Sequence, residues 1–193
     1  MAEVRRRSLL PGGIVFFTVS YMVVCSAMAL RQGNAEFLAY AGAMVVFITL
    51  VLALNARARL SHTTLWLLSI WGAMHMLGGT VPIPAAYADT DSSRLVLYAL
   101  RLHPSLPRYD QIVHFYGFFV ATITAWEALR QTLGARPGLG LSVGLGAVNE
   151  VLEFIITLVV PEHGVGGYIN TGWDLVSNAL GAIAAGVLTL NRR

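Results

Sequence analysis

The chain has 193 residues, of which 56% are hydrophobic and only 12% charged, and it carries a net charge of +3. Soluble domains have roughly 25% charged residues, so this composition excludes that class and indicates an integral membrane protein. All of the basic residues are arginines, and they lie between apolar runs or near the ends of the chain. We therefore interpret the positive charge as a signal of membrane topology and expect no nucleic-acid partner.

Six apolar runs approach the ~20-residue length that crosses a bilayer. They predict an all-α, polytopic membrane helix bundle, a single domain over residues 1–193, with about six transmembrane helices at 12–30, 35–54, 63–80, 109–129, 138–160 and 172–190. The first run exceeds the ~7–15 apolar residues of a signal-peptide core, so we expect an uncleaved helix. Arginine collects in the first, third, fifth and last connecting segments, which predicts that both termini are cytoplasmic.

The longest connection, residues 81–108, is expected on the outer face of the membrane. Prolines begin and end it, and the apolar stretch 92–102 carries two arginines. This pattern predicts a short interfacial helix. The loop arginines Arg94, Arg101 and Arg108 could hold a phosphate or a carboxylate group.

Four of the predicted helices carry ionisable or amide side chains inside their apolar runs, where such groups are costly and rare. These residues are His75, Asp110, His114, Asn149, Glu150, Glu153, Asp174 and Asn178. Within each helix they are spaced so that they share one face. At a rise of ~1.5 Å per residue, all of them are expected in the outer half of the membrane.

Glu150 and Glu153 lie deepest and one turn apart, so their charges repel unless a cation or a proton lies between them. Carboxylates and imidazoles without thiolates suit zinc, iron or manganese. We therefore predict a divalent metal held by residues among His75, Asp110, His114, Glu150, Glu153 and Asp174, with Asn149 and Asn178 orienting these ligands. A metal-free hydrogen-bonded network and a proton relay are the alternatives. Taken singly, His75 could be a packing residue, and the two aspartates could stabilise helix N-termini.

Three segments together resemble a known family. YDQIVHFYGFFVATITAWEAL (Tyr109–Leu129), NEVLEF (Asn149–Phe154) and TGWDLVSNALGA (Thr171–Ala182) are similar to helices of the YjdF-like bacterial inner-membrane proteins. The last segment also resembles the D-x-x-x-N-x-x-G signature of VanZ-like proteins, although it has one aspartate where the YjdF-like proteins have two. The resemblance implies a four-helix unit at 63–190 that carries the polar site, with peripheral helices at 12–60. It also implies a location in the bacterial inner (cytoplasmic) membrane, and the VanZ-like side is associated with glycopeptide resistance and the cell envelope.

These features leave three functions open. A bound metal could activate water, with Glu150 and Glu153 as catalytic carboxylates acting on a lipid-linked or envelope substrate at the outer leaflet. The protein could instead be a non-enzymatic resistance or ligand-binding factor. A proton-coupled transporter is disfavoured, because the inner half of the bundle is apolar apart from Glu127, which we interpret as an ion-pair partner of Arg130. The sequence leaves the enzymatic nature and the oligomeric state undecided, and membrane lipid is the expected neighbour.

Overall fold

The computed structural model describes residues 10–89, 94–129, 137–159 and 167–190. The helices in this part of the chain are α1 (Gly12–Arg31), α2 (Ala35–Ala58), α3 (His62–Thr80), α4 (Tyr109–Leu129), α5 (Pro137–Val159) and α6 (Tyr168–Leu190). Among the described residues, three stretches are long and apolar enough to cross a membrane, namely α1, the Phe37–Ala58 part of α2, and α4. The fold is thus an all-helical membrane protein whose helices coincide with the six predicted apolar runs.

Two helix boundaries differ from the sequence prediction by more than one residue. Helix α2 continues to Ala58 rather than ending at 54, and α6 begins at Tyr168 rather than at 172. Polar and aromatic residues at these ends lower the hydropathy of the run without interrupting the helix. The earlier start of α6 brings Asn170 into the helix, one turn before Asp174.

Side-chain caps fix the turn between α2 and α3. The Ser61 hydroxyl accepts a hydrogen bond from the Thr64 N–H at 3.1 Å, which satisfies a free donor at the start of α3. Arg59, with φ of 55°, ends α2 in the left-handed conformation. The Glu127 carboxylate of α4 accepts hydrogen bonds from the Ser61 N–H at 2.9 Å and from its hydroxyl at 2.8 Å. Glu127 therefore joins two helices, whereas its predicted partner Arg130 lies outside the described residues.

Helix α4 is central to the packing, since it contacts α3, α5 and α6, and its contact with α6 is the most extensive. Gly181 makes this approach possible, because a Cβ there would lie 2.9 Å from the Phe115 carbonyl carbon and 3.0 Å from the Phe119 nitrogen. On the opposite side of α3, helices α1 and α2 close a buried core of Tyr21, Cys25, Ala29, Phe37, Ala41, Met44, Ala73 and Met76.

The connection at 81–108 differs from the predicted interfacial helix. Its described residues contain only short 3-10 turns at Ala85–Tyr87 and Leu97–Ala99. Two nearly extended arms pair through backbone hydrogen bonds, among them Leu97 N–H to Val81 O at 2.8 Å and Arg101 N–H to Tyr87 O at 2.9 Å. Because the arms satisfy each other's backbone groups, the described part of the apolar stretch, residues 94–102, does not need a helix to pair its backbone groups.

Many large apolar side chains face outward from the helices. Phe16, Val23, Phe154 and Leu158 are 77%, 62%, 58% and 68% exposed. Contiguous apolar surface on this scale is unusual for a soluble monomer and fits helices surrounded by lipid.

Candidate functional site

His114 lies at the centre of the polar cluster between α4, α5 and α6. Its Nε2 atom is 3.5 Å from Asp110 Oδ1, one turn earlier on α4, and 3.7 Å from Glu153 Oε1 on α5. Its Nδ1 atom is 3.0 Å from Asn178 Oδ1 on α6 and 3.4 Å from Glu150 Oε1 on α5. Each ring nitrogen thus faces its own pair of oxygen atoms.

The two glutamates of α5 are held by amide groups. Asn149 Nδ2 donates to Glu153 Oε1 at 2.9 Å, and Asn178 Nδ2 donates to Glu150 Oε1 at 2.8 Å. Glu150 is only 4% exposed. Its second oxygen, Oε2, is buried and has no hydrogen-bond partner within the described residues.

The two aspartates share a donor on α6. Asn170 Nδ2 donates to Asp174 Oδ2 at 2.6 Å and lies 3.3 Å from Asp110 Oδ2. Asp174 is completely buried, and its Oδ1 atom has no hydrogen-bond partner in the part of the chain that the structure describes. The Asn170 amide therefore binds the Oδ2 atom of each aspartate, and the Oδ1 atoms of Asp110 and Asp174 do not contact this amide.

Arg108 links the outer loop to this cluster. Its side chain is almost fully buried, and its Nη1 atom donates to Asn170 Oδ1 at 2.6 Å. Asp89 Oδ2 lies 3.9 Å from Arg108 Nε and 3.2 Å from Arg101 Nη1. Two of the three arginines proposed to hold an anion therefore already face a carboxylate of the same loop.

The cluster contains two overlapping sets of possible metal ligands. Asp110, His114 and Asp174 form one set, and His114, Glu150 and Glu153 form the other, each with ligand atoms within 4.8 Å of one another. Ligands bound at ~2.0–2.2 Å to one ion lie about 3–4 Å apart, so both sets are nearly compact enough to share a cation.

His75 lies outside both sets. Its ring stacks on Trp71 with centroids 5.7 Å apart and also packs against Phe37, Tyr40 and Tyr98. Burial raises the pKa of Tyr98 well above its usual range, so the hydroxyl keeps its proton, and it forms a hydrogen bond with His75 Nδ1. The structure thus brings together every predicted site residue except His75, which occupies an aromatic pocket next to the site.

Two residues of the cluster, Asn170 and Arg108, are not among the site residues that the sequence predicts. The predicted start of α6 at 172 leaves Asn170 in the preceding connection, although Asn170, Asp174 and Asn178 follow one another at the interval of four residues that places side chains on one helix face. The sequence predicts Arg108 as an anion-binding residue of the outer loop, and nothing in the sequence indicates that its side chain is buried.

A search of curated proteins and a search of solved structures found no match. One family model, described as "Predicted membrane protein (DUF2238)", matches residues 13–193 and so covers nearly the whole chain. The chain therefore belongs to this family of membrane proteins.

Proposed function

We propose that this membrane protein binds a divalent cation between α4, α5 and α6. The observation that carries the proposal is the buried carboxylate oxygen Asp174 Oδ1, which has no hydrogen-bond partner among the described residues. Leaving such an atom unsatisfied costs roughly 1–3 kcal/mol, and more when the group is charged. Asp174 belongs to a set of residues with Asp110 and His114 whose ligand atoms lie within 4.8 Å of one another, so a cation there would offset the cost.

The excess of acidic residues in the site supports a bound cation. Asp110, Glu150, Glu153 and Asp174 surround His114, and Arg108 reaches the aspartates through Asn170. Uncompensated charge inside a membrane bundle is expensive, so a bound cation would lower the cost that these carboxylates impose. The oxygen and imidazole ligands suit zinc, iron or manganese.

We further propose that all six helices cross the bacterial inner membrane, with both termini in the cytoplasm. The arginine distribution and the helix lengths support this topology. The site then lies toward the outer face, because Arg108 in the 81–108 loop contacts it. In this arrangement α3 to α6 form the four-helix unit of residues 63–190, as in the resemblance to YjdF-like and VanZ-like proteins, and α1 and α2 flank it.

Hydrolysis or group transfer on a lipid-linked or envelope substrate is a second candidate function. The buried Glu150 Oε2 atom favours it, because this oxygen has no hydrogen-bond partner among the described residues and belongs to a carboxylate beside His114. A bound metal lowers the pKa of its water toward ~7, and a neighbouring carboxylate oxygen can accept the released proton. A protein that holds the metal without turnover has the same ligands, so metal binding has to be established first.

Metal analysis of the full-length protein in detergent tests the proposal. The protein is incubated separately with Zn²⁺, Fe²⁺ and Mn²⁺, dialysed, and analysed by mass spectrometry. We expect about one tightly held ion in the wild type, and loss of it in His114→Gln. His103→Gln, which changes an exposed loop histidine, serves as the matched control and should retain the ion. A wild-type protein that retains none of the three metals would refute metal binding.

A further inference from the structure

The hydrogen bonds around Asn178 determine which nitrogen of His114 carries a hydrogen. Asn178 Nδ2 lies 2.8 Å from Glu150 Oε1, and an ionised carboxylate can only accept, so the amide NH2 must face Glu150. This places Asn178 Oδ1, an acceptor, 3.0 Å from His114 Nδ1. Nδ1 therefore donates, and in the neutral ring the lone pair is on Nε2.

The lone pair on Nε2 faces negative charge. Asp110 Oδ1 is 3.5 Å away and Glu153 Oε1 is 3.7 Å away. Both distances exceed the ~2.7–2.9 Å of a charge-assisted hydrogen bond, so a proton on Nε2 would bind either oxygen poorly. The Asp110 distance agrees with the separation of about 3.4 Å between ligands of a tetrahedral ion with bonds of ~2.1 Å, and Asp110 shares a set of possible ligands with His114 and Asp174.

We propose that the cation binds His114 Nε2 together with Asp110 and Asp174, and that Glu150 and Asn178 instead orient the ring from its Nδ1 side. This assignment rests on the metal binding proposed above and selects one of the two ligand sets, since the ligand atoms of Glu153 group with those of Glu150 and not with those of the aspartates. Glu150 is a positioning residue, since its Oε1 atom lies beside the hydrogen-bearing nitrogen and accepts from Asn178 Nδ2.

The aspartates fit this assignment. Asn170 holds the Oδ2 atoms of both, which leaves Asp110 Oδ1 facing Nε2 and Asp174 Oδ1 buried and without a partner among the described residues. A histidine that binds a metal through one nitrogen usually donates the other N–H to a carbonyl or carboxylate. Asn178 Oδ1 is such an acceptor, and Glu150 holds its amide in place.

Two variants test the division of roles. Glu150→Gln keeps an oxygen that can accept from Asn178, so we expect an unchanged metal content and an affinity within about tenfold of the wild type. Asp174→Asn removes a charged ligand, and we expect a loss beyond the ~10–100-fold that is typical of residues outside the coordination shell. Affinities are measured by titrating the metal-free protein with Co²⁺ and recording its visible absorption, with circular dichroism as a check of folding. Equal losses in both variants, or a greater loss in Glu150→Gln, would overturn the assignment.

A measurement on the wild type keeps the test independent of the folding of the variants. NMR spectra of Zn²⁺-loaded protein with 15N-labelled histidine should show one ring in which the chemical shift of Nε2 is changed by the metal and Nδ1 carries a hydrogen. His114→Gln identifies that ring by removing its signals. A metal-shifted Nδ1 would overturn the assignment while leaving metal binding intact, whereas a wild type that binds no metal would refute the proposed function itself.

Discussion

At the scale of single residues, Asn170 is the side chain that connects Arg108 with the two aspartates of the site. Its amide accepts from Arg108 and donates to both Asp110 and Asp174. An alanine there leaves a buried guanidinium nitrogen and two carboxylate oxygens without this partner. The residue thus couples the position of the outer loop to the position of two proposed ligands.

We expect Asn170→Ala to lower the stability of the protein by roughly 1–3 kcal/mol, since it leaves buried polar groups unsatisfied. Metal affinity should fall by ~10–100-fold, as for other residues that orient ligands. Thermal unfolding in detergent and metal titration measure the two effects. Thr171→Ala, at the neighbouring position of α6, is the control. An unchanged affinity would show that the aspartates do not depend on Asn170.

The same scale separates His75 from the site. Tyr98→Phe removes the hydroxyl that is hydrogen-bonded to His75 Nδ1 and retains the aromatic ring beside it. We expect a loss of about 1–3 kcal/mol in stability from the unpaired nitrogen, and no change in metal content. Loss of the metal in this variant would place His75 among the ligands after all.

At the scale of helices, the contact between α4 and α6 determines whether the two aspartates can meet. Gly181→Ala places a methyl group against the backbone of Phe115 and Phe119, so the helices must move apart. Overpacking of this kind costs about 1–3 kcal/mol. Gly172→Ala, on the same helix but with open space around it, should be neutral or stabilising by up to about 1 kcal/mol. Equal melting temperatures for the two variants would contradict this packing.

The helices were largely predictable, because each is an apolar run bounded by arginine, proline or glycine. The predicted and observed bounds of α4 are identical. Most of the site was also predictable, since residues one turn apart share a helix face. Asn170 was missed because it lies before the most apolar part of α6. The sequence places His75 at the same depth as the ligands, because helical spacing gives the depth of a residue. It does not give the rotation of α3 about its axis, which directs His75 toward Trp71 and Tyr98.

At the scale of the whole molecule, the topology can be tested with the cysteine that the chain already has. Cys25 is completely buried, so the native protein should not react with a membrane-impermeant maleimide. Ser105→Cys and Arg57→Cys introduce exposed thiols in the 81–108 loop and near the end of α2. With cytoplasmic termini, the first should be labelled in intact spheroplasts, and the second only after the membrane is opened. The reverse pattern would invert the proposed orientation.

The distribution of the polar contacts over three helices has a consequence for biosynthesis. In the proposed topology α5 crosses the membrane with Glu150 and Glu153, and each acidic residue near the centre of a membrane helix costs ~2.5–3.5 kcal/mol during insertion. Their partner His114 is synthesised earlier, in α4, but Asn178 follows in α6. Helix α5 therefore has no complete set of partners when it leaves the ribosome. We expect it to stay beside α4 at the insertion machinery until α6 emerges, so that the last three helices enter the lipid together.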